Sequence, residues 1–429
     1  MALTAKYPPM GWNSFDAYSW CVTEEELLKN AEFVDKNLKQ FGYDYIVLDF
    51  IWAEPGRNDN ANPHQDADYN PTLFMDRFGR LLPSPDRFPS SVGNAGLKPI
   101  ADIIHGMGMK FGLHLMRGIP RQAAAMKAPI KGTNYTADQI VITDEDKNCS
   151  WLNHMYGLDM SKPGAQEYLN SIFELYAQWE VDFVKVDDMV FPYYCKEELE
   201  GYRKAIDGCG RSMVLSLSPG EAPPSQAEHL GAHADMWRIS ADFWDNWEAL
   251  KKLNRLFDTW SKSGVKNGFP DGDMVPFSKL SLTGPMGKPR YSLFTHDEKL
   301  LLMTLWTINN SPLMLGGDLT VIDDDALKIL TNPDVLAACK FAKDARKVSD
   351  DGEIGVWQAG NQCSDRITYL AALNLSDDMK VVDLDISAMA GAETYLIQDL
   401  WEGTRENASG ARTVCIRPHG AVYYMVIKK

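Results

Sequence analysis

The residues best suited to chemistry are polar side chains at the ends of short apolar runs. The clearest run is VDFVKVDDM, residues 181–189, which reads as a buried parallel strand. It leads into Asp187 and Asp188, with Lys185 two residues before the first. Similar positions are occupied by Asp49, His114, Ser218, Arg238, Asp242 and Asp273. Because charge is costly to bury, such strand ends usually belong to a functional site.

Two carboxyl groups on different strands suit glycoside hydrolysis, in which one attacks the sugar carbon and the other protonates the leaving oxygen. Asp187 and Asp242 come from different predicted strands and could face each other across one mouth. Arg238 precedes Asp242 by four residues in WRISADFW. Its guanidinium offers several donors for sugar hydroxyls or for a carboxylate. The pattern therefore favours a hydrolase that acts on a carbohydrate.

Other catalytic chemistries have weaker support. His229 and His233 form H-x-x-x-H, but Leu230 stands where a zinc protease has Glu, so we interpret the two His as a pair on a helix surface. A zinc hydrolase on a barrel would need several His, and only His114 lies at a predicted strand end. The sequence contains no P-loop, no G-x-S-x-G and no G-x-G-x-x-G. The pair of carboxylates remains the best supported chemistry.

The elements that must position these residues alternate between strand and helix. Thr23 and Thr295 each begin a T-x-x-E capping box, which marks the start of a helix. Counting from MGWNSF, residues 10–15, the alternation gives eight units in about 330 residues. Eight regular units close most naturally into a (β/α)8 TIM barrel. Such barrels place catalytic residues at the carboxyl ends of their strands, as this pattern requires.

The last part of the sequence has a different pattern. Short alternating strands divided by turns, such as RITYLAALNL and AVYYMVIKK, replace the strand and helix units. This pattern predicts an antiparallel β-sandwich. We therefore predict two domains, a catalytic barrel over residues 1–340 and a C-terminal β-sandwich domain over residues 341–429.

Composition limits the class of protein and its partners. With 45% hydrophobic and 24% charged residues, the chain of 429 residues resembles ordinary soluble globular proteins. A net charge of −16 disfavours nucleic acid or an anionic membrane as a partner. No 18-residue apolar run and no apolar signal segment is visible, and the seven Cys have no CxxC spacing. We therefore expect a cytoplasmic protein with reduced thiols.

Several motifs, in order, resemble glycoside hydrolase family 27, which contains α-galactosidases and α-N-acetylgalactosaminidases. MGWNSF resembles the family's M-G-W-N-S-W, and YDYIVLDFIW its Y-x-Y-x-x-x-D-D-x-W. FVKVDD is similar to the strand that carries the nucleophile, and WRISAD to the W-R-x-x-x-D motif that carries the acid/base. PDGDM resembles the family's N-D-P-D-M. LWTINNSPLMLGGDL resembles its L-W-x-x-x-x-x-P-L-x-x-x-x-D-L. The order agrees from residue 10 to about residue 320, and the family also has a C-terminal β domain.

The resemblance implies a retaining glycosidase with Asp187 as nucleophile and Asp242 as acid/base. It places the sugar among Phe15, Asp49, Phe50, His114, Lys185, Ser218, Arg238 and Asp273. No metal ion or organic cofactor would take part. Asp188 falls where the family has a neutral residue, so it receives no role. We therefore expect hydrolysis of terminal α-linked galactose or N-acetylgalactosamine, and the oligomeric state stays open.

Substitutions in the implied sugar site leave other substrates open. Phe50 replaces the second Asp of a sugar-holding pair, and His114 replaces a Tyr. Ser218 stands where α-N-acetylgalactosaminidases have Ser and α-galactosidases have Glu, although Glu221 replaces a small Ala of the N-acetyl pocket. Phe50 would suit a pentose without a 6-hydroxyl, so a β-L-arabinopyranosidase is an alternative. A non-catalytic carbohydrate-binding barrel is a second alternative, which the presence of both catalytic Asp disfavours, and a metal-dependent hydrolase is a third.

Overall fold

The computed structural model describes residues 3–56, 72–283 and 287–429. Its first part is a barrel whose eight parallel strands are β1 (Met10–Asn13), β2 (Tyr45–Leu48), β3 (Lys110–Met116), β4 (Phe183–Asp187), β5 (Val214–Leu217), β6 (Met236–Arg238), β7 (Phe269–Asp271) and β8 (Leu313–Leu315). They pair in the order β8-β1-β2-β3-β4-β5-β6-β7. A parallel bridge between Val275, just after β7, and Leu315 closes the ring. The predicted (β/α)8 fold is confirmed.

Helices between the strands pack on the outside of the barrel. They are α1 (Glu24–Asn37), α2 (Lys98–Gly106), α3 (Ala165–Gln178), α4 (Lys196–Gly208), α5 (Ala227–His233), α6 (Trp247–Ser261), α7 (His296–Ile308), α8 (Asp324–Leu330) and α9 (Pro333–Phe341), with shorter helices at Phe15–Tyr18, Arg121–Ala125 and Ile386–Ala390. Both predicted capping boxes form, since Thr23 and Thr295 exchange hydrogen bonds with the Glu three residues later. None of the described helices is long and apolar enough to cross a membrane.

Strand register decides which side chains become neighbours at the mouth of the barrel. Because all eight strands run parallel, their carboxyl ends lie at the same end of the barrel. In the β3–β4 ladder His114 pairs with Lys185, and Met116 pairs with Asp187. The His114 ring therefore starts from a backbone position beside the strand that carries the proposed nucleophile.

The last part of the chain forms the predicted antiparallel sandwich. Its strands are β9 (Ala342–Asp350), β10 (Ile354–Asn361), β11 (Ile367–Asn374), β12 (Lys380–Leu384), β13 (Thr394–Asp399), β14 (Arg405–Ser409), β15 (Arg412–Ile416) and β16 (Ala421–Lys428). Six strands form one sheet in the order β9-β10-β11-β16-β13-β14, and β12 pairs with β15 in a second. Apolar side chains from the two sheets share a small core that includes Val414 of β15 and Val426 of β16.

The barrel and the sandwich also share one continuous apolar core. Trp357 of β10 is fully buried, and its indole nitrogen donates a 2.9 Å hydrogen bond to Asn254 of α6. The His419 ring stacks on Trp247 of α6 at a centroid distance of 3.8 Å. Since these side chains join the sandwich to the helical layer of the barrel, the two parts stabilise each other.

Truncating the side chain at this junction should destabilise the whole chain. Trp357→Ala removes a buried ring and leaves Asn254 without its donor, so we expect a loss of about 3–5 kcal/mol in the free energy of unfolding. Urea denaturation followed by circular dichroism measures this loss. Val381→Ala, at a side chain that is 72% exposed, is the control and should cost little. A cost below about 1 kcal/mol for Trp357→Ala would contradict a shared core.

Candidate active site

A cavity of about 320 Å³ lies at the carboxyl ends of the barrel strands. Its lining includes eight of the residues that the sequence predicts for the site: Phe15, Asp49, Phe50, Lys185, Asp187, Ser218, Arg238 and Asp242. The two other predicted residues lie behind this lining, where His114 contacts Asp187 and Asp273 contacts Arg238. The fold therefore gathers the predicted residues at one place, in two layers.

Asp187 ends β4 and its side chain is 16% exposed. Its Oδ1 accepts a 2.9 Å hydrogen bond from the backbone nitrogen of Asp188, and its Oδ2 lies 3.1 Å from His114 Nε2. Burial raises the pKa of Asp187, but the hydrogen bond with His114 and the electrostatic interactions with His114 and Lys185 outweigh burial and hold the pKa well below its usual range. Asp187 is therefore a fixed and ionised carboxylate, as a nucleophile must be.

Asp49, directly after β2, anchors the cation beside Asp187. Lys185 Nζ lies 3.0 Å from Asp49 Oδ2, and Asn13 of β1 donates to the same oxygen at 2.7 Å. Burial raises the pKa of Asp49, but the charge of Lys185 and several hydrogen bonds lower it below its usual value overall. Both charges of this buried pair are therefore present at neutral pH, and each can bind a sugar hydroxyl.

Arg238 holds the other side of the cavity together. Its Nη1 lies 2.8 Å from Asp273 Oδ1, and both side chains are buried. Its Nη2 lies 3.2 Å from Asp242 Oδ1, and Asp242 is 55% exposed. The second oxygen of Asp273 accepts from the backbone nitrogen of Phe243, which fixes the loop that carries Asp242. Asp242 thus stands at the solvent edge of the cavity, where a leaving group and a water molecule have access.

Ser218 follows β5 and is part of the cavity lining. Its hydroxyl is buried, and within the described residues no protein group forms a hydrogen bond with it. A buried hydroxyl without a partner is costly, so a ligand hydroxyl is a suitable partner for it. Glu221 is not part of the cavity lining and instead forms an ion pair with Lys252.

Phe50 gives one wall of the cavity an apolar surface. It follows Asp49 directly, is 2% exposed, and packs edge-on against the His114 ring at a centroid distance of 5.2 Å. The ring of Trp151, from the long segment between β3 and α3, has its centroid 6.0 Å from that of Phe50. Where the family motif has a second carboxylate for hydroxyl groups, this site therefore has aromatic carbon.

Six residues of the cavity lining were missed by the reasoning from sequence, and three of them have large side chains. Trp151, Phe191 and Met274 line the cavity and lie in loops that follow barrel strands. Loop positions have no periodic pattern, so no local signal distinguishes these residues from other aromatic or apolar ones. Phe191 is the most accessible of the three, with 49% of its surface exposed.

Asp188 belongs to a separate buried cluster behind the cavity. Arg117 donates to Asp188 through both Nε and Nη2, at 3.0 and 2.8 Å, and its Nη1 lies 2.6 Å from Glu198. Burial raises the pKa of Asp188 to about 6, Arg117 opposes this rise, and the negative charges of Asp187 and Glu198 add to it. Asp188 therefore anchors the strand end and does not face the cavity, which agrees with its having no assigned role.

Comparisons with known proteins agree with this geometry. Residues 156–340 match the family model described as alpha galactosidase A, and residues 351–426 match the alpha galactosidase C-terminal beta sandwich domain. An α-galactosidase of Cyamopsis tetragonoloba is 24% identical, with 98% of this chain and 86% of that protein covered.

Two solved structures are more similar. A GH27 β-L-arabinopyranosidase of Geobacillus stearothermophilus is 41% identical, covers 99% of this chain and 97% of its own, and has a TM-score of 0.94. A Bacillus halodurans protein, provisionally named an α-N-acetylgalactosaminidase, is 39% identical, covers 100% and 99%, and has a TM-score of 0.88. The chain therefore belongs to glycoside hydrolase family 27 and is a glycosidase.

Proposed function

We propose that this glycosidase hydrolyses terminal β-L-arabinopyranosides with retention of configuration. The observation that carries the proposal is Phe50, a buried aromatic ring that lines the cavity beside Asp49. β-L-Arabinopyranose has the ring of α-D-galactopyranose, with hydrogen in place of the hydroxymethyl group at C5. A sugar without a 6-hydroxyl loses no hydrogen bond when it packs against the apolar Phe50 ring.

The energetic argument concerns the 6-hydroxyl of galactose. In the proposed pose this hydroxyl faces the Phe50 ring and is left without a partner, which costs about 1–3 kcal/mol. At 1.4 kcal/mol for each factor of ten, that cost lowers kcat/KM for a galactoside roughly 5- to 150-fold relative to the arabinopyranoside. The similarity to the Geobacillus β-L-arabinopyranosidase, at 41% identity over nearly the whole chain, supports the same substrate.

In the proposed mechanism Asp187 attacks the anomeric carbon while Asp242 transfers its proton to the glycosidic oxygen. The C1–O bond breaks, the alcohol leaves, and a glycosyl ester forms on Asp187. Asp242, now a carboxylate, accepts a proton from water as the water attacks C1 and releases the sugar and Asp187. Asp49, Lys185 and Arg238 bind the sugar, with Asp273 holding Arg238 in place. Two carboxyl groups supply the nucleophile, the acid and the base, so this reaction requires no metal ion or organic cofactor.

An α-galactoside or α-N-acetylgalactosaminide is the second candidate substrate. The Ser218 side chain is short enough to leave space at the sugar 2-position. Glu221 pairs with Lys252 and does not line the cavity. The similarity to the Bacillus halodurans protein also favours an N-acetyl sugar. The α-galactoside differs from the arabinopyranoside at C5, and the N-acetyl sugar differs at C2 as well, so one substrate panel separates the three.

The substrate preference should depend on Phe50. We expect kcat/KM for nitrophenyl β-L-arabinopyranoside to exceed that for the α-galactoside and the α-N-acetylgalactosaminide by about tenfold or more. Phe50→Asp should shift the ratio of kcat/KM for the arabinopyranoside to that for the galactoside at least about tenfold toward the galactoside. The new carboxylate can accept a hydrogen bond from the 6-hydroxyl of galactose, which Phe50 leaves without a partner.

The ratio is independent of the fraction of folded enzyme, so partial destabilisation by a buried Asp does not obscure the result. Phe74→Asp is the matched control, because Phe74 is 37% exposed and outside the cavity lining, and it should leave the ratio unchanged. A wild-type enzyme that prefers either hexoside, or an unchanged ratio in Phe50→Asp, would reject the arabinopyranoside proposal.

The roles of the two carboxylates can be separated by azide. Asp187→Gly should lower turnover by several orders of magnitude, and azide entering the vacated space should yield a glycosyl azide of inverted configuration. Asp242→Gly should retain activity toward dinitrophenyl glycosides, which need no proton. With azide it should give a glycosyl azide of retained configuration, because azide then attacks the ester on Asp187. NMR of the products decides the assignment, and exchanged stereochemistry would show that the roles are reversed.

His114 should influence the nucleophile more than the binding of the sugar. An ionised carboxylate can only accept, so His114 Nε2 must donate in its 3.1 Å contact with Asp187. His114→Phe removes this donor, so the pKa of Asp187 should rise. The acidic limb of the kcat/KM profile should therefore move to higher pH by about one unit. His114→Tyr, which can donate again, should return the acidic limb to nearly its wild-type pH. Identical pH profiles in all three enzymes would limit His114 to packing.

A further inference from the structure

A group of side chains that could bind a metal ion lies on the helical layer, apart from the sugar cavity. Glu200 belongs to α4, and His229 and His233 belong to α5. Each residue offers one ligand atom, and these three atoms all lie within 4.8 Å of one another. The sequence predicted the two His as a pair on a helix surface, and the fold adds a carboxylate from the neighbouring helix.

The two imidazoles are arranged as a pair of ligands on one helix face. A separation of four residues places them one turn apart, with ring centroids at 4.2 Å and planes inclined by 31°. Glu200 Oε1 lies 3.1 Å from His229 Nε2. Ligands that bind Zn²⁺ tetrahedrally at about 2.0–2.2 Å lie about 3.3–3.6 Å apart, so small side-chain rotations bring these atoms to a common centre.

Hydrogen bonds on the far side of both rings favour metal binding. His233 Nδ1 donates to the backbone oxygen of His229 at 2.8 Å, which leaves the lone pair on Nε2. His229 Nδ1 lies 2.6 Å from the Tyr194 hydroxyl, whose oxygen can accept a hydrogen bond from Nδ1–H and leave Nε2 of His229 as a ligand. His ligands in metal sites commonly have such a partner on the second nitrogen, which fixes the ring and its tautomer.

A similar cluster elsewhere already contains an ion-paired lysine. Asp102, His105 and Glu180 also lie within ligand distance of one another. There, however, the ammonium of Lys98 pairs with Asp102 and with Glu180, and His105 Nε2 lies 2.7 Å from Asp182. A lysine already supplies the positive charge in that cluster, so it is a poor metal site.

We propose that Glu200, His229 and His233 bind a divalent transition-metal cation such as Zn²⁺ and thereby link α4 to α5. Two imidazoles and one carboxylate match the ligand preference of zinc, and water completes the coordination. With Leu230 in place of a general-base Glu, the site has no hydrolytic role. The metal instead joins the helices that follow β4 and β5, the strands that carry Asp187 and lead to Ser218.

Calorimetric titration of the metal-free protein with ZnCl₂ tests the proposal directly. We expect one zinc ion per chain at this site, and His229→Ala and His233→Ala should each weaken its binding at least about tenfold. Tyr194→Phe should weaken it about tenfold as well, since loss of an outer partner typically costs 10- to 100-fold. His105→Ala is the matched control from the other cluster and should not change the affinity. No binding, or equal binding by wild type, His229→Ala and His233→Ala, would overturn the proposal.

Thermal unfolding with zinc gives a second measurement that does not depend on catalysis. A ligand that binds only the folded state raises Tm, so zinc should raise the Tm of wild type and of His105→Ala. At the same zinc concentration the rise should be clearly smaller in His233→Ala and in His233→Gln, which keeps a polar side chain in case the alanine variant folds poorly. An equal rise in Tm for wild type and both His233 variants would place the zinc elsewhere and reject this site.

Discussion

The active site depends on the ion pair between Lys185 and Asp49, buried where β2 and β4 end. A buried charge without a partner destabilises a protein by several kcal/mol, so neither side chain could remain charged there alone. The Lys185 ammonium also lies close enough to Asp187 for the two charges to affect each other, and it lowers the pKa of the nucleophile. Lys185 thus helps to keep both carboxylates ionised, together with His114 at Asp187 and with Asn13 at Asp49.

The two proposed catalytic carboxylates differ in how tightly the protein holds them. Asp187 is largely buried and contacts His114 and a backbone nitrogen, whereas Asp242 is about half exposed and contacts Arg238. A nucleophile benefits from a fixed position, which favours attack on a nearby carbon, and from a low pKa, which keeps it ionised. An acid/base must exchange protons with a leaving group and then with water, which the exposed edge of the cavity allows.

Substrate choice depends on residues that contribute little to the reaction itself. Under the proposed function the buried charges bind a galactose-configured ring, whether hexose or pentose, and the family relation covers all three candidate sugars. In the proposed pose the apolar Phe50 wall and the short Ser218 side chain lie at different corners of that ring. Since a single unpaired hydroxyl changes kcat/KM by one or two orders of magnitude, one wall residue can decide between substrates without changing the mechanism.

Much of the fold and of the site could be predicted from the sequence, because the signals are local. The periodic apolar runs and the capping boxes at Thr23 and Thr295 mark the strands and helices, and charges at strand ends mark the mouth of a barrel. The sequence motifs also indicated the family, which the comparisons confirm. The predicted boundary between residues 340 and 341 and the assigned catalytic roles stay predictions.

Tertiary structure decided what depends on the packing of distant segments. His114 stood at a predicted strand end, but the register of β3 against β4 directs it to Asp187, behind the Phe50 wall. Trp151 and Phe191 reach the cavity from loops whose paths no periodic pattern specifies. Glu200 joins the two His of α5 only because two helices pack side by side. Local sequence determines which elements form, whereas long-range packing determines which side chains become neighbours, since those contacts join residues far apart in the chain.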